Sequence, residues 1–121
     1  MLHELIYDQL KNIIDDVYPG IVAEAVTLPY ISHFEVDALP SIDSDREGSK
    51  LDVIRWQVSC FHDSYANVTS LADSVREALD EYSGSGHDVT VERILFAGRN
   101  YIYEGNGVHH RPVDFDIRLK R

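Results

Sequence analysis

Hydrophobic residues recur along this chain with two distinct periods. From Leu2 to Val17 the apolar positions Leu2, Leu5, Ile6, Leu10, Ile13, Ile14 and Val17 fall at three- and four-residue steps, the spacing of one helical face, and Pro19-Gly20 would stop that helix. Leu28 to Val36 changes period: Tyr30, Phe34 and Val36 share one parity and His33, Glu35 and Asp37 the other, which predicts a strand with the aromatic side inward. The clearest strand follows further on, where Ile54, Trp56, Val58 and Cys60 alternate with Arg55, Gln57 and Ser59. Asp63-Ser64 offers a helix cap, and Val68, Leu71, Ala72, Val75, Leu79 and Tyr82 trace a second helical stripe toward Gly84 and Gly86. Val89 to Tyr103 is rich in Val, Ile, Phe and Tyr, with Gly98 marking a bend. Glu104-Gly105-Asn106-Gly107 turns it back onto a last strand, in which Val113, Phe115, Ile117 and Leu119 alternate with Asp114, Asp116 and Arg118.

The expected order is therefore helix, strand, strand, helix, strand, strand. Two strand pairs joined as hairpins predict an α+β fold, an antiparallel four-stranded sheet with two helices on one face. The uncovered face would carry His33, Glu35, Arg55, Gln57, Ser59, Asp114, Asp116 and Arg118. A length of 121 residues suits a single domain over residues 1–121. Within it, Ala38 to Lys50 holds Pro40, Gly48 and a polar run with few apolar anchors, and is expected to be an exposed, mobile loop, residues 38–50.

Charge narrows the function classes. There are 21 acidic against 11 basic side chains, a formal charge of -10. Binding nucleic acid by counterion release needs clustered Lys and Arg, so a DNA or RNA binder is disfavoured. No run of 18 apolar residues is present, so no membrane partner is expected. One cysteine excludes an internal disulfide, and neither zinc-ligand spacing nor a phosphate-cradling glycine loop is found. His109 and His110 are adjacent and would point to opposite faces of a strand, so they do not chelate one ion together. Asp43-Ser44-Asp45 lacks the glycine and distal glutamate of a calcium loop. Cys60 shares its parity with Trp56 and Val58 and reads as a core thiol. No catalytic, cofactor or metal residues are expected; what remains is a surface for assembly. Its candidates are Asp43, Asp45, Arg46 and Glu47 in the loop, Arg55, Gln57 and Arg118 on the polar face, and Arg99, Tyr101 and Tyr103 around the third strand.

Three stretches carry a resemblance. Leu5-Ile6-Tyr7-Asp8 through Pro19-Gly20 to Leu28-Pro29-Tyr30-Ile31 resembles the opening of the tail-completion family of long-tailed, non-contractile phages. Arg55-Trp56-Gln57-Val58-Ser59-Cys60-Phe61, running through Asp63-Ser64-Tyr65-Ala66 into Leu71 to Leu79, is similar to its middle, and Arg111 to Ile117 to its closing strand. The resemblance implies a structural virion protein without enzymatic activity, a tail terminator or tail-to-head joining protein. It implies a six-membered ring of identical copies capping the tail tube, with the tail tube protein and the head connector or head-closure protein as partners. It further implies a place at the head-proximal end of the tail and assembly in the host cytoplasm. DNA would pass through without specific binding, repelled by acidic walls. The alternatives are a head-closure or other neck ring protein and, from other classes, an acidic nucleic-acid mimic or a small enzyme using His62 or His109 with a metal.

Overall fold

The computed structural model describes residues 1–20, 27–40 and 51–120. The first helix, α1, covers Leu2–Lys11 and buries Leu2, Leu5, Ile6 and Leu10. It ends well before the predicted Val17. Val17–Pro19 instead forms a short strand, β1, which runs parallel to β2, Tyr30–Pro40. Two backbone hydrogen bonds flank the junction: the Ile31 amide donates to the Asp16 carbonyl at 2.9 Å and the Gly20 amide to the His33 carbonyl at 2.8 Å. Pro19, which has no amide hydrogen, is tolerated there because β1 lies at the end of the strand order.

β2 pairs antiparallel with β3, Leu51–His62, and β3 pairs along its whole length with the closing strand β7, Val108–Lys120. Ala38 to Pro40, expected in the loop, belong to β2. Residues 41–50, and with them Asp43, Asp45, Arg46 and Glu47, lie outside the described residues. The second helix, α2, spans Tyr65–Leu79. Its start follows the predicted cap, with the Ser64 hydroxyl accepting from the Asn67 amide at 3.0 Å. Its end does not follow the glycines. The helix stops at Asp80, whose backbone is extended, and whose carboxylate accepts from the Phe96 amide at 2.9 Å. Gly84–Gly86 is then strand β4, paired with β5, Val89–Arg99. β5 breaks at Asn100 and Tyr101, beyond the positive-φ Gly98 and a register shift, so Ile102–Gly105 makes a separate strand, β6, beside β7.

The expected four-stranded antiparallel sheet is thus corrected to a seven-stranded mixed sheet of order β1-β2-β3-β7-β5-β4, with β6 also on β7. Bulges in β2, β5 and β6 add twist, and the sheet curls into a half-barrel. The extra strands were hidden because β1, β4 and β6 are three or four residues long, too short to show a period.

α1 and α2 pack on the inner side, where Val58, Cys60, Val113, Phe115 and Ile117 of the two central strands meet Val68, Ala72, Val75 and Leu79 of α2. The phase of β2 is the reverse of the prediction. Ile31 pairs with Cys60 and His33 with Val58, which puts both in the core, while Tyr30, Ser32 and Phe34 take the outer phase. His33 is 1% exposed, and its Nδ1 accepts from Trp56 Nε1 at 3.2 Å. An imidazole with an indole donor can occupy a core position that alternation alone assigns to an apolar residue.

Candidate assembly surface

The half-barrel leaves its outer, helix-free face open, and an aromatic row crosses it. Tyr30, Phe61 and His110 stand opposite one another in β2, β3 and β7, with ring centroids 4.5 Å and 4.2 Å apart and near-parallel planes. Tyr18 of β1 meets Tyr30 edge-on at 6.2 Å, and at the far end His110 Nδ1 lies 2.7 Å from Glu104 Oε2 of β6. Burial first, and then the Glu104 charge, raise the Tyr30 phenol above its ordinary pKa. Below the row, Ser32, Phe34, Gln57 and Ser59 line a concavity of about 440 Å³. Polar side chains hold its floor: Gln57 Nε2 donates to Asp114 Oδ1 at 3.0 Å and Ser59 Oγ donates to Gln57 Oε1 at 3.4 Å. Arg55 and Asp116, adjacent in the register, form a half-exposed ion pair at 2.6 Å. Arg118 follows on the same phase, exposed.

A second cluster sits where β6, the β7 start and the α2 N-terminus converge. Arg99 pairs with Asp73 of α2 at 2.6 Å. The Tyr101 hydroxyl lies 2.6 Å from His109 Nδ1, and its ring meets Tyr65 edge-on at 4.9 Å. Tyr103 lies against His109 at 5.1 Å and is 55% exposed. Arg111 is buried between these rings. Its Nη2 donates to the Tyr65 hydroxyl at 3.1 Å, its Nη1 to the Asn100 carbonyl at 3.2 Å and its Nε to Thr69 Oγ1 at 3.3 Å.

The predicted surface residues therefore divide. Arg55, Gln57 and Arg118 share the outer face; Arg99, Tyr101 and Tyr103 gather at the β6 end. His33, expected on the polar face, is in the core, and Glu35 takes the same phase as His33 although it is exposed. Sequence reasoning missed Tyr30, Phe34 and Phe61 as outward-facing, because their alternation fits either face. It also missed Arg111, although its parity with Val113 and Phe115 signals an inward-pointing guanidinium.

The chemistry these groups offer is recognition. Among the described residues no three His, Cys, Asp or Glu side chains converge as metal ligands. Cys60 is fully buried, and burial pushes its thiol up to about 12, far from the thiolate that a nucleophile needs. His109 and His110 do diverge, toward Tyr101 and Glu104 respectively. No described helix is long and apolar enough to cross a membrane.

A family model described as tail completion protein gp17 matches residues 7–120. Comparison with curated protein sequences returned no match. Among solved structures, a chain of the virion of a native gene transfer agent particle is similar in fold, with a TM-score of 0.74 at 17% identity. The match covers 96% of this chain and 92% of that one.

Proposed function

This chain belongs to the tail completion protein gp17 family, a family of virion structural proteins, and we propose that it is the tail terminator that joins tail to head. In this reading copies of the chain form a ring, six in number, that caps the tail tube. One side of the ring meets the tail tube protein and the other the head connector or head-closure protein, at the head-proximal end of the tail. Assembly takes place in the host cytoplasm, and DNA passes through without specific binding.

The observation that carries the reading is the family match over nearly the whole chain, 7–120. The surfaces support it. A ring built from one repeated contact needs two different patches on each copy, and the molecule has two unlike surfaces, the concave outer face and the tyrosine-arginine cluster at β6. Asp43, Asp45, Arg46 and Glu47, which lie between β2 and β3 in the sequence, belong to the proposed contact set with Arg55, Gln57, Arg99, Tyr101, Tyr103 and Arg118. The chain acts by shape, without catalysis; the half-buried imidazoles His62 and His109 are partnered by Asp63 and Tyr101 rather than aimed at a common point.

The test is genetic and structural. Deleting the gene from its phage should leave filled heads and unjoined tails, and expression of the chain in trans should restore infectious particles. Localisation within the virion by cryo-electron microscopy should place it between tube and head. Joined, infectious particles lacking the protein would overturn the proposal, and density within the head-closure ring would favour the neighbouring role.

A further inference from the structure

Of the six described arginines four are neutralised locally, and a fifth, Arg118, is exposed to solvent. Arg55, Arg76, Arg93 and Arg99 each reach a carboxylate. Arg111 differs: it is 8% exposed, all three of its acceptors are neutral, and no carboxylate among the described residues pairs with it. A guanidinium carries five N–H donors, so two are left over, on a buried positive charge that nothing nearby cancels. The Tyr65 and Tyr101 rings lie 5.5 Å and 5.7 Å from it, and Tyr65 and the neighbouring Tyr103 are two of the five large hydrophobic side chains exposed among the described residues, at 53% and 55%. Arginine set among tyrosines, desolvated and bordered by exposed aromatic side chains, is the composition of a binding hot spot for an acidic partner.

The complementary feature lies on the same molecule. Asp15 and Asp16, between α1 and β1, are exposed and make no ion pair among the described residues. Their backbone is held in place, since the Asp16 carbonyl accepts from the Ile31 amide and the Asp15 carbonyl from Lys11 Nζ at 2.8 Å. The register gives their position. Val17 pairs with Ile31, Ile31 with Cys60 and Cys60 with Arg111, so the acidic turn and the arginine sit at the two ends of one row across the sheet. From β1 to β6 that row spans about 19 Å, four strand spacings. Two complementary patches on opposite flanks, at one level along the strands, let each copy add to the last without a rise, the condition for a closed ring rather than a helical filament.

We propose that Arg111 and its surrounding tyrosines receive the Asp15–Asp16 turn of a second copy of this chain, and that repetition of this contact closes the ring. The inference rests on the ring reading above and names the contact that makes it.

Disulfide trapping tests it on the full chain. One variant carries Asp15→Cys with Tyr103→Cys, and a control carries Asp15→Cys with Ser85→Cys. Ser85 lies on β4, beside β5 rather than β6 and level with Lys120, about 30 Å along the strands from Arg111. Within one copy Asp15 and Tyr103 are too far apart to bridge, so covalent ladders report contact between copies. Under copper-phenanthroline oxidation the first variant should form ladders at least about tenfold faster than the control, and adding Arg111→Met or Asp16→Asn should remove that advantage. Asp16 is on the surface, so its variant carries the test if Arg111→Met fails to fold. Equal rates for the two cysteine pairs, or an advantage that survives both substitutions, would overturn the contact. Sedimentation separates the two levels of the argument. A closed oligomer without the Asp15–Tyr103 cross-link sinks the contact and spares the ring, whereas no oligomer at high concentration and no ladder from either pair sinks both.

Discussion

The buried His33–Trp56 pair makes a quantitative prediction about acid. His33 is 1% exposed, its Nδ1 is occupied as an acceptor from the indole, and burial lowers its pKa from 6.5 to about 4, with a smaller contribution from His3. Unfolding releases the imidazole to its ordinary value, so below pH 6.5 the unfolded chain takes up a proton that the folded chain refuses. Stability from this residue is complete above pH 6.5 and drains away as the pH falls to about 4, where the folded state also protonates. The interval of about 2.5 pH units at about 1.4 kcal/mol each amounts to about 3 kcal/mol. His33→Asn provides the comparison, since its side-chain oxygen can accept from Trp56 as Nδ1 does, and it does not titrate. Trp56 is the sole tryptophan and is buried, so its fluorescence reports unfolding by urea directly. Free energies measured from pH 7.5 to 4 should fall more steeply for the native chain than for the variant, with the difference between the curves growing by about 3 kcal/mol. Carboxylate titrations are common to both and cancel. Curves that stay parallel across that range would show that His33 is not buried as a neutral imidazole.

Three further outcomes follow from particular contacts. Ser64→Ala removes the side-chain acceptor at the start of α2 and should cost about 1 kcal/mol in urea denaturation, while Ser64→Asp should retain most of that stability. Gly107 has φ +77° with open space around it, so Gly107→Ala meets no clash and should lose about 1 kcal/mol to backbone strain alone; an unchanged melting temperature would refute the assignment of the β6–β7 turn. Cys60, with no exposure and a thiol pushed up to about 12, should react with a thiol reagent at pH 8 only as fast as the chain unfolds. Labelling of the native protein within seconds would contradict its place in the core.

The sequence by itself determined the elements long enough to display a period. The α2 stripe, the alternation of Trp56, Val58 and Cys60, and that of Val113, Phe115 and Ile117 are local patterns, and burial follows them. The resemblance to tail completion proteins rests on those same patterns and agrees with the family match. Tertiary structure decided the rest. β1, β4 and β6 exist only because a neighbouring strand supplies their hydrogen bonds, and three residues carry no period of their own. The phase of β2 was set by its register on β3, which admitted His33 to the core because Trp56 stood ready to donate to it. Of the predicted surface residues, Arg55, Gln57 and Arg118 were legible from alternation, because they share a strand face. The isolation of Arg111 from every described carboxylate, and its place in one row with the Asp15–Asp16 turn, depend on residues far apart in the chain meeting in space, and no local pattern records such a meeting.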